Sequence, residues 1–210
     1  MPDRRPVSSR GNGLIRSAAR LLCNTRVTPN MVSAFSVVAS LLVPIGLLLS
    51  SGWLGVSLAV LGIQLRLLAN VLDGLVAVEG GKGSPIGALY NEFPDRLADT
   101  IILVSMGYAA GADWLGWAAA LTAALTAYVR VFGGALGQPQ SFQGPMAKQH
   151  RMALATVALI GAQAAAVWQP GWYAVVLQGA LAVIVVGSAI TCATRTRTIV
   201  RHFDAQGAQS

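Results

Sequence analysis

The chain has 210 residues, of which 54% are hydrophobic and only 11% are charged, with a formal net charge of +7. Soluble domains carry about a quarter charged residues, so this composition excludes an ordinary soluble protein, and the lack of charged or low-complexity runs argues against a disordered one. The sequence is that of an integral membrane protein.

Six apolar stretches, separated by short polar breaks, predict six transmembrane helices, because a spanning helix needs about 20 mostly apolar residues. They lie near residues 31–50, 53–78, 85–110, 114–136, 152–168 and 172–193. The predicted fold is an all-α polytopic membrane domain over residues 31–193, between a basic leader at 1–30 and a tail at 194–210.

The leader contains a helical pattern of its own. Arg16 and Arg20 fall between apolar residues that recur at helical spacing, namely Leu14, Ile15, Ala18, Leu21 and Leu22. This pattern predicts an amphipathic helix that lies in the membrane interface. The alternative is a frayed basic leader.

The distribution of Lys and Arg predicts the orientation of the chain. Twelve of the 15 lie in connections on one side of the predicted membrane domain: Arg4, Arg5, Arg10, Arg16, Arg20, Arg26, Lys82, Lys148, Arg151, Arg195, Arg197 and Arg201. The opposite connections contain none, and positive residues are retained on the cytoplasmic side. Both termini are therefore predicted to be cytoplasmic in a plasma (inner) membrane. Because topology and anionic headgroups account for the net charge, nucleic acid is excluded as a partner.

Charged residues fall inside the predicted spans, among them Arg66, Asp73, Asp95, Arg96, Asp99 and Arg130. Charges at that depth are costly and mark a functional site by default, although a buried ion-pair network that joins helices is the alternative. The second and third spans meet at a turn near Lys82, so residues at equal distances from it are expected at equal depth. Asn70 is then level with Asp95, and Asp73 with Asn91. Such oxygen ligands suit Mg²⁺, Mn²⁺ or Ca²⁺.

The same residues form a spaced motif. The second span contains Asn70-Val-Leu-Asp73-Gly74-Leu-Val-Ala77-Val78, and after eight residues the chain continues with Gly87-Ala-Leu-Tyr-Asn91-Glu-Phe-Pro-Asp95. This motif resembles, without a gap, the signature D-x-x-D-G-x-x-A-R-x8-G-x-x-x-D-x-x-x-D of the CDP-alcohol phosphotransferases. Two flanking pieces also resemble that family, Thr28-Pro29-Asn30 and Tyr128-Val-Arg130, so the similarity covers nearly the whole chain.

The resemblance implies a membrane transferase of phospholipid biosynthesis that forms a homodimer. Such an enzyme moves a phosphatidyl or substituted phosphoryl group from a CDP-linked donor to an alcohol acceptor and releases CMP. Mg²⁺ or Mn²⁺ would be bound by the motif positions Asn70, Asp73, Asn91 and Asp95, and Asp95 would also deprotonate the acceptor hydroxyl. The nucleotide would lie against Asp73, Gly74, Ala77 and Gly87. For the small residues among these, close helix packing is the alternative explanation.

Three motif positions depart from the signature: Asn70 and Asn91 replace Asp, and Val78 replaces Arg. Two ligand charges are lost, each with an interaction of several kcal/mol with a divalent ion at an effective dielectric near 20, so a two-metal site should be weakened. Asp99, one helical turn beyond Asp95, is a candidate compensating carboxylate. A shifted register that pairs Asp95 with Asp99 is the other reading, but it requires a four-residue insertion and loses the glycine match.

Basic residues are the candidates for binding a phosphate on the acceptor, namely Arg96, Arg130, Lys148 and Arg151. The last two are equally well explained as topology signals. Dimer faces are offered by two glycine pairs, Gly107 with Gly111 and Gly133 with Gly137, although small residues pack helices within a monomer equally well.

Two other classes of function stay open at this point. A metal-weak or non-catalytic relative that binds lipid or nucleotide is favoured by the two Asn replacements. A small cation-dependent transporter is disfavoured, because the sequence has no pair of interrupted helices in matching halves. The donor and the acceptor are not determined by the sequence.

Overall fold

The computed structural model describes residues 13–138 and 141–207, and within these ranges the chain forms eight α-helices. They are α1 (Gly13–Cys23), α2 (Pro29–Ser40), α3 (Leu42–Leu49), α4 (Gly52–Glu79), α5 (Gly87–Ala109), α6 (Asp113–Ala135), α7 (Lys148–Trp168) and α8 (Trp172–Gly207). The all-α prediction is confirmed for the described residues. The part of the predicted leader before Gly13, with Arg4, Arg5 and Arg10, lies outside them, as does the end of the tail from 208 to 210.

Five segments of the described chain are long and apolar enough to cross a membrane: Pro29–Leu49, Gly52–Glu79, Asp113–Ala135, Lys148–Trp168 and Trp172–Ala205. They correspond to five of the six predicted spans. Helix α5 matches the remaining prediction, 85–110, in its bounds. It differs from the five in having four charged residues within the segment 92–99, namely Glu92, Asp95, Arg96 and Asp99.

Three helix boundaries differ from the prediction, each for a local reason. The first span is broken at Leu41 into α2 and α3, because Pro44 has no N–H for the carbonyl four residues earlier and its ring clashes with that carbonyl. Helix α7 begins at Lys148 instead of 152, so Lys148 and Arg151 belong to its first turn. Helix α8 continues past 193 to Gly207, since no glycine or proline interrupts it after Gly187.

The described chain divides into two compact units, here called the N-unit (residues 13–105) and the C-unit (residues 106–138 and 141–207). In the N-unit, α2, α3 and α1 all pack against α4. The contact between α3 and α4 is close: a Cβ at Gly46 would lie 2.3 Å from the carbonyl oxygen of Gly55. Only glycine allows the two backbones to approach this far.

Helix α1 is held against the C-terminal end of α4. Lys82 donates from Nζ to the carbonyl oxygens of Thr25, at 2.6 Å, and Val27, at 3.2 Å, where a cation is favoured by the carbonyl end of α1. Ala19 is fully buried, whereas Arg16 and Arg20 are exposed. The helix predicted in the leader therefore exists and is amphipathic.

In the C-unit, α6 and α7 each pack against α8. The glycine pairs named above are used within the chain. A Cβ at Gly107 would lie 2.7 Å from the Cα of Gly116, and one at Gly133 would lie 2.9 Å from Cδ1 of Ile199. Gly111 and Gly137 have positive φ angles, of 64° and 86°, at the turns that follow α5 and α6. Packing and turns explain these glycines without a dimer.

Candidate functional site

Helix α4 presents three polar side chains on one face of the N-unit. Arg66, Asn70 and Asp73 follow one another at spacings of four and three residues, which places them on the same side of a helix. Arg66 is completely buried, Asp73 is 4% exposed and Asn70 is half-buried. Among the described residues, the Nδ2 atom of Asn70 is buried and has no hydrogen-bond partner.

Asp73 is bonded to a residue that the sequence reasoning missed. Ser33 of α2 donates from Oγ to Oδ2 of Asp73 at 2.6 Å, and both side chains are buried. Helix α2 begins with Pro29 behind the cap Thr28, whose Oγ1 accepts a hydrogen bond from the backbone N–H of Met31. This start is the Thr-Pro-Asn stretch that resembles the family, and Ser33 lies one turn beyond it.

Helix α5 contributes Asp95 and Asp99, which lie one turn apart and are both buried. Nη2 of Arg66 donates to Oδ1 of Asp99 and lies 3.4 Å from Oδ1 of Asp95. On the other side, Nη2 of Arg96 lies 3.7 Å from Oδ2 of Asp95 and 4.0 Å from Oε2 of Glu92. Asp95 is thus flanked by two guanidinium groups.

The contact between Arg66 and Asp99 agrees with the equal-depth argument made from the sequence. Arg66 lies sixteen residues before Lys82 and Asp99 lies seventeen after it. The buried ion-pair network considered above as the alternative therefore exists, and Arg66, which the sequence reasoning left without a role, is its centre. Counting distances from Lys82 for the basic residues as well as for the oxygen ligands was the signal that could have found it.

The four residues predicted to bind metal are found in different environments. Asp73 and Asp95 are buried, Asn70 is half-buried, and Asn91 is exposed on α5. No group of three or more His, Cys, Asp and Glu side chains in the described part of the chain forms a metal site. The donors on α4 are nevertheless a carboxylate and an amide one turn apart, which is the oxygen chemistry that Mg²⁺ and Mn²⁺ prefer.

The small residues of the motif differ in what surrounds them. Gly74, Ala77 and Gly87 are all partly exposed. A Cβ at Gly87 would meet Oγ of Ser84 at 3.5 Å and no other described atom within 4 Å, which is ordinary van der Waals contact. Close packing inside the chain therefore does not require glycine at position 87, whereas it does at Gly46.

The basic residues predicted to bind an acceptor phosphate fall in two groups. Arg96 belongs to the N-unit and faces Asp95, as described above. In the C-unit, Arg130 lies over the ring of Phe142, with its Cζ 5.2 Å from the ring centroid, and Lys148 is half-buried at the start of α7. Their predicted roles stay predictions.

Arg151 has a structural function in the C-unit. It is 1% exposed and donates from Nη1 to the carbonyl oxygen of Met146 at 2.9 Å and to Oγ1 of Thr126 at 3.3 Å. Arg195, which the sequence reasoning treated only as a topology signal, is 5% exposed and donates to the carbonyl oxygens of Gln143 and Thr126. Two buried arginines therefore converge on Thr126.

The fold is similar to that of a solved enzyme. No protein-family model matches the chain, and no curated protein matches it. Among solved structures it is similar to phosphatidylinositol phosphate synthase from Mycobacterium tuberculosis with CDP-DAG bound, at 20% identity and a TM-score of 0.70 over 90% of this chain and 94% of that one. The complex of that enzyme with manganese and citrate is 21% identical with a TM-score of 0.70, over 88% of each chain. The apo form of that enzyme is 21% identical with a TM-score of 0.64, over 87% of this chain and 94% of that one.

Proposed function

We propose that this chain is an integral membrane transferase of the CDP-alcohol phosphotransferase type, and that it acts in phospholipid biosynthesis. It moves a phosphatidyl or substituted phosphoryl group from a CDP-linked donor to an alcohol acceptor and releases CMP. The observation that carries the proposal is the burial of both surviving motif carboxylates, Asp73 on α4 and Asp95 on α5, each beside a polar partner. The shared fold with an enzyme solved with CDP-DAG supports it.

A divalent cation, Mg²⁺ or Mn²⁺, fits the donor set of this site. Asp73 and the amide oxygen of Asn70 would hold it from α4, and the manganese complex of the similar enzyme supports this choice of ion. When bound, such an ion stabilises negative charge on phosphate oxygens during group transfer. Ser33 orients Asp73 through its 2.6 Å hydrogen bond.

Asp95 is the residue we assign to accept the proton of the attacking alcohol. A proton acceptor must be held in a fixed position near the nucleophile, and Arg66 and Arg96 fix the Asp95 carboxylate from two sides. Gly74, Ala77 and Gly87 leave room for the nucleotide, which agrees with the open surroundings of a Cβ at Gly87. Arg96, beside Asp95, is the first choice for contacting a phosphate on the acceptor.

The membrane arrangement forms part of the proposal. Helix α5 completes the six spans, with Asp95 and Asp99 buried in the protein, and the amphipathic helix α1 lies in the interface. Both chain ends and the Asp73–Asp95 site face the cytoplasm, as the twelve basic residues in the connections imply. The chain acts as a homodimer; a cross-linking experiment in lipid that yields only monomers would contradict that last point.

A specific observation favours a second candidate function. Arg66 forms ion pairs with both Asp95 and Asp99, and Asn occupies positions 70 and 91, so a non-catalytic relative that binds lipid or nucleotide with little need for metal is the alternative. The transferase would release CMP from a CDP-linked donor, whereas the non-catalytic relative would bind the donor without releasing CMP.

The test uses the purified full chain in lipid nanodiscs with CDP-diacylglycerol, Mn²⁺ and a panel of alcohols that includes glycerol 3-phosphate, an inositol phosphate and serine. A second set of reactions supplies soluble CDP-alcohols with diacylglycerol. Metal-dependent release of CMP with one of the acceptors supports the transferase. Binding of the CDP-linked donor without any release of CMP supports the non-catalytic relative.

A further inference from the structure

Arg66 carries a positive charge in the interior of the N-unit, where carboxylates must compensate it. Its side chain is 0% exposed, and its Nη2 atom contacts the carboxylates of both Asp95 and Asp99. An isolated buried guanidinium or carboxylate costs several kcal/mol, so each of the three groups depends on the others. A guanidinium stays charged at all relevant pH values. Arg66 therefore places one positive charge beside the carboxylates of Asp95 and Asp99.

The motif positions of this site carry fewer negative charges than the signature implies, because Asn occupies positions 70 and 91. Of the two motif carboxylates that remain, Asp95 lies beside the guanidinium groups of Arg66 and Arg96, and Asp73 accepts a hydrogen bond from the hydroxyl of Ser33. The two Asn residues and the buried Arg66 thus change the charge of the site in the same direction.

Arg66 also has N–H groups that Asp95 and Asp99 do not use. Its Nε and Nη1 atoms are buried and have no hydrogen-bond partner among the described residues, and neither has Nδ2 of Asn70, one turn further along α4. Buried N–H groups normally have acceptors. Phosphate oxygens are suitable acceptors for a guanidinium, which binds them in a bidentate manner.

We propose that this site takes one divalent cation, at the Asp73 end, and that Arg66 is its second, built-in cation at the Asp95–Asp99 end. The guanidinium holds the two carboxylates and offers its remaining N–H groups, together with Asn70, to phosphate oxygens of the substrate. The proposal rests on the proposed function, because it assigns the phosphate to the same site. In this proposal Arg66 binds substrate phosphate and determines how many metal ions the chain binds.

The test is the number of Mn²⁺ ions bound per chain, measured without substrate by calorimetric titration and by electron paramagnetic resonance on the full chain in nanodiscs. The wild type should bind one ion, and Asp73→Asn should bind none. The Asn70→Asp/Asn91→Asp double variant should still bind one, about tenfold or more tightly, since an added ligand charge contributes well over the 1.4 kcal/mol that tenfold corresponds to.

Arg66 is then tested in that same double variant. Adding Arg66→Met should create a second Mn²⁺ site, whereas adding Arg66→Lys, the matched control that keeps the positive charge, should leave one. Two ions bound while Arg66 is intact would overturn the proposal, and so would no ion in the wild type. One ion in a folded Arg66→Met triple variant would also overturn it. If that variant does not fold, the double variant decides: one ion supports the proposal and two ions contradict it.

A separate outcome distinguishes this proposal from the proposed function. Two bound ions together with CMP release would leave the transferase intact and remove the role of Arg66. One bound ion without CMP release from any donor would leave the charge argument intact and contradict the transferase.

Discussion

Arg66 of α4 and Asp99 of α5 form an ion pair whose side chains are 0% and 3% exposed, and Asp95 lies 3.4 Å from the same guanidinium nitrogen. The pair joins the two helices that carry the whole spaced motif. The same guanidinium also contacts Asp95, the last carboxylate of the motif, although Arg66 itself lies outside the motif.

Loss of one member of this pair should destabilise the protein more than loss of both. Arg66→Met removes the guanidinium beside two buried carboxylates, and Asp99→Asn removes the closer of the two carboxylates beside that guanidinium. Breaking a buried ion pair in this way costs about 3–5 kcal/mol. The double variant Arg66→Met/Asp99→Asn should recover a large part of that cost, because Asp95 keeps Arg96. Unfolding in detergent solution, followed by circular dichroism, provides the double-mutant cycle. Additive losses would show that the two residues do not interact.

Ser33→Ala should weaken Mn²⁺ binding by about fivefold, since a hydrogen bond of this kind contributes about 1 kcal/mol. The variant removes the 2.6 Å bond that orients Asp73. Ser36→Ala is the matched control, because Ser36 is also buried on α2 but donates to the backbone carbonyl of Ser33 and not to a carboxylate. Equal losses in the two variants would argue that α2 packing, and not the orientation of Asp73, is what the calorimetric titration reports.

Arg151→Met should lower stability by about 2 kcal/mol, because it leaves buried acceptors on Thr126 and Met146 without their donor. Lys148→Met, in the same turn of α7 but half-buried, should change stability little. Thermal unfolding of the two variants makes the comparison. A rise in the acceptor KM with no loss of stability in Arg151→Met would instead favour the acceptor-phosphate role predicted from the sequence.

The predicted orientation can be tested with single cysteines in a Cys23→Ala/Cys192→Ala background. Gly83→Cys, exposed in the turn between α4 and α5 and without a positive φ angle, should react with an impermeant thiol reagent only after the cells are opened. Gly171→Cys is the matched control on the opposite connection and should react in intact cells. The reverse pattern would invert the topology.

The sequence predicted the helices better than their ends. Apolar length led to the all-α fold and to five segments that are long and apolar enough to span a membrane, because burial in lipid or protein leaves a strong compositional signal. The break at Leu41 was missed although Pro44 implies it, and the continuation of α8 past 193 was missed because the polar turns that follow the span have no apolar periodicity.

The candidate site was predicted in its composition but not in its bonding. The motif identified Asp73 and Asp95, and the distances from Lys82 implied that α4 and α5 share a layer. The partners Ser33 and Arg66 were missed, because a serine among many apolar residues carries no pattern and a lone arginine in a span has no preferred partner until the helices pack. For Gly107 and Gly133 the sequence left a dimer face and packing within the monomer equally open, and the structure shows both glycines in close contacts inside the C-unit.

The most direct test of the transferase is CMP release by wild type, Asp95→Asn and Asp99→Asn chains, assayed with CDP-diacylglycerol or a soluble CDP-alcohol, the active acceptor and Mn²⁺. Both variants replace one oxygen of a buried carboxylate with an NH2 group, so they are matched in size and surroundings. The wild type should release CMP, Asp95→Asn should release it at least about 10²-fold more slowly because the proton acceptor is lost, and folded Asp99→Asn should retain most of its turnover. No CMP release by the wild type with any donor and acceptor, or an Asp95→Asn chain as fast as the wild type, would contradict the account.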